Sequence, residues 1–339
     1  MVAVSTHTSP PPSQQPPTAS VADVATALVD ALADAAVDLL TGVPGGGSNL
    51  AVIDAARARG MRFVLTHTET AACMVAATHG LLTGRPGVAV VTRGPGVAAA
   101  TNGLAQATLD RLPLVLVADR VTHDVADRVA HQRLDQLALA APVCKAVGTL
   151  TATSPGRVAR AALAAAIEPP AGAVHLDVDL TDPGRPELAF TPHRADGTGP
   201  RDTATTAPRE HLPAARALVA GARRPVMLVG LGAWPAMDAV RDFATNAAVP
   251  TLTTYQARGL VPDAANVAAG IFTNGRFERE LLRRADLVLA VGLDHVEPIP
   301  APWPGTAPVV AVTATPIRDR YHDSAAVLLG PVADSLARL

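Results

Sequence analysis

Two short stretches of this 339-residue chain carry residues that can do chemistry at the point where an apolar run gives way to a helical period. One is Thr66-His67-Thr68-Glu69-Thr70-Ala71-Ala72, where a single carboxylate opens a stretch of small residues. The other is Thr92-Arg93-Gly94-Pro95-Gly96, a glycine turn between the apolar run Val88–Thr92 and the helical stretch Val97–Leu109. Such a turn lets backbone come close to a flat ligand, and the same residues also make an ordinary strand-to-helix turn. The spacing leaves Glu69 two uses. In the first turn of a helix a carboxylate offsets the positive end of the helix dipole. Beside the small face made by Thr70-Ala71-Ala72 and Ala76-Ala77, it is also open to a flat ligand. In a dry cleft it would hold a hydrogen bond to a heteroaromatic nitrogen more firmly than in water.

The elements that must position these residues follow from periodicity. The spacing predicts a helix over Val21–Asp38 with Ser20 as its N-cap. Strand-length apolar runs follow at Leu39–Val43, Arg62–Thr66, Val88–Thr92, Leu114–Ala118, Val143–Val147 and Val174–Val178, separated by helical stretches at Asn49–Arg59, Glu69–Leu82, Val97–Leu109, Gln132–Ala140 and Pro155–Ile167. This alternation predicts an α/β fold, a doubly wound and mainly parallel sheet whose ligands lie outside the carboxyl ends of the strands. The alternation restarts near Glu210 with helix to Ala220, strand Val226–Val229, helix Met237–Asn246, strand Thr251–Thr254, helix Arg276–Arg284 and strands Leu287–Val291 and Val309–Val312. A second domain of the same doubly wound class is expected there. The expected organisation is a disordered Pro-rich tail over 1–20, a first domain over 21–182, a linker over 183–209 rich in Pro, Gly and Thr, and a central α/β domain over 210–339.

Composition removes several classes of function. A formal net charge of −2 gives no global pull toward nucleic acid or anionic membrane. The N-terminal stretch has no apolar run long enough for a signal peptide or membrane span. Two cysteines, Cys73 and Cys144, stand far apart without metal-ligand spacing. They read as packing residues in a reduced, cytoplasmic compartment, and no metal ligand is assigned in this chain.

Further motifs then fall into register. Gly42-Val43-Pro44-Gly45, the Glu69 stretch, Thr83-Gly84-Arg85-Pro86-Gly87-Val88, Gly94-Pro95-Gly96, Gly103-Leu104-Ala105 and Asp110-Arg111-Leu112-Pro113 together resemble the pyrimidine-binding domain of thiamine diphosphate-dependent enzymes, in the acetolactate synthase, pyruvate oxidase and benzoylformate decarboxylase group. Gln132 and Pro142-Val143-Cys144-Lys145 look like the same domain. The likeness covers about the whole of Val21–Asp182. Arg224–Gly230, Val249–Thr254, Arg258–Asp263 and Ala285–Gly292 resemble the central domain of that family, with Arg258 standing where members usually carry Lys.

The resemblance implies that Glu69 hydrogen-bonds the aminopyrimidine of the cofactor and selects its imino tautomer, so that the exocyclic imine removes the thiazolium proton and a 2-oxo acid is decarboxylated or ligated. It implies Pro44, Gly45, Gly94, Pro95 and Gly96 as cofactor-side residues. Gly46, Ser48, Arg93 and Gln132 are weaker substrate-side candidates, Arg93 because a guanidinium suits a carboxylate or phosphate. Members often have Ala-Thr-Asn after the glycine turn, whereas Val97-Ala98-Ala99 stands here, so Asn102 receives no role. His67, His79 and His131 have no neighbouring nucleophile or metal cluster and read as structural or exposed.

The family also has a domain that binds Mg²⁺ and the diphosphate through Gly-Asp-Gly and a paired Asn-Asn, and neither motif occurs in this sequence. A diphosphate needs a metal or a cage of donors. The expectation is therefore a split enzyme in which a separate subunit carries that domain, in a hetero-oligomer built on a dimer of this chain. Alternatives are a non-catalytic subunit of the same fold, a fragment of a longer enzyme, and a nicotinamide-dependent oxidoreductase. The last rests on Gly94-Pro95-Gly96 with Asp119 beyond the next strand, and on Gly230-Leu231-Gly232, where Pro235 takes the third glycine position. FAD or another nucleotide on the central domain is left open, with no residue that speaks for it.

Overall fold

The computed structural model describes residues 20–180, 188–190, 211–276, 278–299, 301–316 and 322–339. The tail before Ser20 and most of the 183–209 linker lie outside the described residues. The chain divides into two compact units, Met1–Gly199 and Pro200–Leu339.

The first unit opens with α1 (Val21–Asp34), started by a capping box in which Ser20 and Asp23 satisfy each other's backbone N–H groups. The helix stops four residues short of the expected Asp38, because Ala36 turns to positive φ and sends the chain into β1 (Leu39–Val43). Then follow α2 (Ser48–Ala58), β2 (Arg62–Leu65), α3 (Glu69–Thr83), β3 (Gly87–Val91), α4 (Pro95–Leu109), β4 (Leu114–Asp119), α5 (Gln136–Ala140), β5 (Ala146–Leu150), α6 (Pro155–Ile167), β6 (Ala173–Val178) and the short β7 (Ala189–Phe190).

Their order in the sheet is β2-β1-β3-β4-β6-β5-β7, parallel throughout except for β7. Every residue of β3, β4 and β6 is buried, as a parallel sheet covered on both faces requires. One face packs α1, α2 and α6 through Leu28, Leu32, Val52 and Leu163, and the other packs α3 and α4 through Ala72, Ala76, Ala100 and Leu104. The second layer is thin because its residues are small. A Cβ on Gly103 would strike Cys73, so α4 can lie this close to α3 only with glycine there.

Two expected elements moved. The helix expected over Gln132–Ala140 is confined to Gln136–Ala140, because Gln132 takes positive φ and the side chain of Asp135 accepts from the Ala138 N–H to start the helix there. The strand expected over Val143–Val147 is β5 at Ala146–Leu150, because Ala141–Val143 forms a 3-10 turn containing Pro142.

The second unit contains α7 (Leu212–Gly221), β8 (Pro225–Val229), α8 (Met237–Asn246), β9 (Thr251–Thr253), β10 (Ala268–Ile271), α9 (Arg279–Arg284), β11 (Leu287–Val291), β12 (Val309–Thr313), β13 (Ser324–Leu329) and α10 (Val332–Ala337). Its sheet is parallel, in the order β10-β9-β8-β11-β12-β13. The edge strands β10 and β13 are additions to the expected set, and α9 is shorter than the predicted Arg276–Arg284.

In both sheets the chain runs outward in one direction, then returns to build the other half. The reversals fall between β1 and β3 and between β8 and β11. Open α/β sheets bind ligands beyond the carboxyl ends of the strands at such a reversal.

Candidate active site

Glu69 is the first residue of α3, and Thr68 before it caps the helix by accepting from the Ala71 N–H at 3.1 Å. The Thr66 N–H donates to the Gly42 carbonyl at 3.0 Å, tying the approach to Glu69 onto the end of β1. The Thr70 hydroxyl donates to the Ala99 carbonyl at 2.6 Å, which fixes the start of α3 against α4. Glu69 is half-buried, and no hydrogen bond or salt bridge engages its carboxylate among the described residues. Its charge is nonetheless felt by its neighbour. Burial pushes the Cys73 thiol up to about 12, and Glu69 adds to that rise.

The glycine turn stands opposite. Gly94 has φ of 60°, and a Cβ there would run into the carbonyl of Gln132. Pro95 supplies a fixed φ at the first position of α4. A Cβ on Gly96 would lie 3.7 Å from Glu69 Oε1 and 2.8 Å from the Thr92 methyl. On the other side of Thr92, a Cβ on Gly45 would strike its hydroxyl. Gly45, Thr92, Gly96 and Glu69 therefore adjoin one another beyond the ends of β1, β2 and β3. Gln132 joins them through its contact with Gly94. Pro44 is half-buried just beyond β1, Gly46 faces open space, and the Ser48 hydroxyl at the start of α2 is buried without a hydrogen-bond partner.

Two residues that the sequence reading gave no role in the site hold this arrangement. Asp119, at the end of β4 and 4% exposed, accepts from Asn49 Nδ2 at 2.8 Å and from the Arg93 N–H at 3.0 Å, and its second oxygen lies 3.2 Å from Arg93 Nε. Burial raises its pKa, opposed by Arg93 and these hydrogen bonds. Gln136 is buried on α5. It accepts from the Gly94 N–H at 2.7 Å and donates to the Asp119 carbonyl at 3.1 Å and to Asp177 at 2.6 Å. Asp177 also lies 2.9 Å from His175 Nε2, so the turn is anchored through Gln136 to a buried polar cluster on β6.

These contacts bear on two sequence expectations. Arg93 meets Asp119, leaving only its outer edge for a substrate. Asp119, the acid that a dinucleotide reading would place on a ribose, is committed to Arg93 and Asn49. Only long-range contact exposed these roles of Asp119 and Gln136, since each is separated from its partners by many residues and the one spacing that marked Asp119 pointed to a ribose.

Comparison with known proteins agrees with the geometry. The family described as thiamine pyrophosphate enzyme, N-terminal TPP binding domain, matches residues 22–139, and the thiamine pyrophosphate enzyme central domain matches residues 212–339. The chain belongs to the thiamine pyrophosphate-dependent enzymes. It is 30% identical over 281 residues to the probable 2-ketoarginine decarboxylase AruI of Pseudomonas aeruginosa, covering 80% of this chain and 48% of that protein. It is 32% identical over 285 residues to an acetolactate synthase of Bacillus subtilis, covering 81% and 49%. A 2-hydroxyacyl-CoA lyase of Oryza sativa subsp. japonica is 30% identical over 228 residues, covering 63% and 39%. The chain spans about half the length of the first two relatives. Among the described residues, no helix is long and apolar enough to cross a membrane, and no group of three or more His, Cys, Asp or Glu is placed to hold a metal.

The residues present fit the pyrimidine end of this cofactor. A flat heterocycle with ring nitrogens needs a carboxyl group that is not already paired and a wall without side chains. Glu69 is the first and the bare Cα of Gly96 is the second.

Proposed function

We propose that this chain supplies the pyrimidine half of a thiamine diphosphate site that acts on a 2-oxo acid by decarboxylation, carboligation or both. A separate polypeptide would bring the Mg²⁺ and diphosphate half, in a hetero-oligomer built on a dimer of this chain. The observation that carries the reading is the half-buried Glu69 carboxylate, unpaired among the described residues, beside the side-chain-free Gly96. Support also comes from the decarboxylase, synthase and lyase among its relatives, each about twice as long as the matched region or longer.

When bound, the cofactor supplies an electron sink for bonds at the carbonyl carbon of the substrate. This chain's residues do the rest of the pyrimidine-side work. Glu69 would hold a hydrogen bond to a ring nitrogen and so set where the ring's proton sits. Because no partner engages the carboxylate among the described residues, that bond replaces solvent rather than an internal contact. Pro44, Gly45, Gly94, Pro95 and Gly96 would form the wall against which the ring lies. Asp119 and Gln136 would keep that wall rigid, so that little reorganisation is needed when the ring docks. On the substrate side, Gln132, Gly46, Ser48 and the free edge of Arg93 would meet the 2-oxo acid.

The test is co-purification with a protein carrying Gly-Asp-Gly and Asn-Asn, followed by assay on a panel of 2-oxo acids. We expect turnover that requires thiamine diphosphate and Mg²⁺, together with a rise in the Tm of the complex when both are added. A complex that forms but neither binds the cofactor nor turns over any 2-oxo acid would refute the reading.

A further inference from the structure

The central domain has its own reversal point, between β8 and β11, and its own glycine turn there, Gly230-Leu231-Gly232. A turn of this kind is commonly read as a place where backbone approaches a pyrophosphate. Its surroundings here give the glycines another cause. A Cβ on Gly230 would lie 2.5 Å from Glu297 Oε2 and 2.5 Å from the Gly292 carbonyl oxygen. On Gly232 it would lie 3.0 Å from the same carbonyl, and on Gly292, which has φ of 62°, it would strike the backbone at Ala233. The loops after β8 and β11 interlock at these three glycines. What approaches the turn is the protein itself.

At the centre of this contact is Glu297, 2% exposed on the loop after β11. Its Oε1 accepts from the Leu231 N–H at 3.0 Å, and the same N–H lies 3.1 Å from Oε2. Oε2 accepts from the Asp294 N–H at 2.9 Å. The Thr254 hydroxyl, just beyond β9, donates to Oε1 and itself accepts from the Ala257 N–H at 3.1 Å. One carboxyl thus gathers donors from the ends of β8, β9 and β11, the strands that surround the reversal.

We propose that Glu297 is the built-in occupant of the central domain's crevice. Its carboxyl takes the backbone and hydroxyl donors that a nucleotide phosphate would need, and the domain therefore binds no dinucleotide at this crevice. The proposal stands apart from the reading of Glu69, since it concerns the other unit and none of the same residues. It also gives the Gly230-Leu231-Gly232 turn a structural use in place of the cofactor use that its spacing suggests.

The occupant carries a signature of its own. Burial pushes the Glu297 carboxyl up to about 7 from its ordinary value near 4.5, and Asp294 on the same loop adds to the rise, while the hydrogen bonds from Thr254, Asp294 and Leu231 oppose it. The groups that touch it from beyond β8 and β9 are uncharged. His295 lies 3.3 Å from Asp294. Between about 4.5 and 7 the folded state holds a proton that the unfolded state has released, so the stability due to this proton is lost as pH rises through that window.

The test uses the full chain. FAD, NAD and ADP are titrated into the wild type by calorimetry at pH 6 and pH 8, and Tm is followed from pH 5 to pH 8 for the wild type and Glu297→Gln. We expect no saturable binding of any of the three. We also expect the Tm of the wild type to fall relative to Glu297→Gln by at least about 2 °C across the range. Should Glu297→Gln fail to fold, Thr254→Val serves in its place. Loss of that hydroxyl donor should move the fall in stability to higher pH. Saturable binding of any nucleotide to the wild type, or Tm profiles that run parallel across the range, would overturn the proposal.

Discussion

Glu69 Oε1 lies 3.7 Å from the point where a side chain on Gly96 would begin, so the carboxylate at the start of α3 borders the bare backbone of the glycine turn. A structural glycine would have its missing Cβ filled from within, as at Gly94, Gly103 and Gly230. Gly96 is only partly filled, by the Thr92 methyl at 2.8 Å. In the proposed site the ring would meet the Glu69 carboxylate where it borders this glycine.

Gly96→Ala should therefore separate stability from binding. The Thr92 methyl can move by side-chain rotation, at a cost of about 1 kcal/mol of the kind that an off-rotamer side chain carries. Urea unfolding should show the variant close to the wild type. The reconstituted complex should lose most of its cofactor-dependent rise in Tm. An unaltered rise would mean that the ring does not pass this glycine.

Gly94→Ala should behave in the opposite way. With φ of 60°, and with the Gln132 carbonyl where its Cβ would go, the variant must strain or move backbone. A loss of roughly 1–3 kcal/mol in unfolding free energy is expected for the isolated chain, with no cofactor involved. A loss below about 0.5 kcal/mol would show that the turn relaxes freely.

The pairing of Asp119 with Arg93 and Asn49 predicts a cost that comes from the partners left behind. Asp119→Ala should destabilise by about 3 kcal/mol, because the Arg93 N–H, the Asn49 amide and part of a guanidinium lose their acceptor in a buried site. A double-mutant cycle with Arg93→Ala measures the share that belongs to the ion pair. Arg93 is 31% exposed at its side chain, so that share should be the smaller part.

Cys73 and Cys144 should resist alkylation in the native chain. Both thiols are fully buried, and burial raises both, Cys73 to about 12. Since the thiolate is the reactive form, labelling by iodoacetamide at pH 8 should wait for unfolding. Rapid labelling of either residue under native conditions would show that the packing of α3 against α4 opens readily.

Much of the fold was legible because parallel strands buried on both faces leave continuous apolar runs, as at Leu39–Val43, Leu114–Ala118 and Leu287–Val291. Glu69 and the glycine turn were legible for a related reason, since local spacing placed both beyond strand ends. The failures have local causes as well. Asp135 capping restarts α5 late, and the turn at Ala141–Val143 moves β5. The edge strand β10 contains Gly270 and two alanines, leaving Ile271 alone to carry the β-branched signal that a strand usually shows. Gln136 and Glu297 gave no signal at all and Asp119 only the misleading one of a dinucleotide pattern, because each earns its place through partners far away in sequence.

The proposed chemistry depends on Glu69, and its sharpest test is the turnover of a 2-oxo acid by the reconstituted complex carrying Glu69→Gln, with assembly and Tm of the complex checked in parallel. Glutamine keeps the size of the side chain but cannot hold the proton. Turnover should fall by about 10²-fold or more while the complex still assembles. Wild-type turnover in an intact Glu69→Gln complex would show that Glu69 does not activate the cofactor.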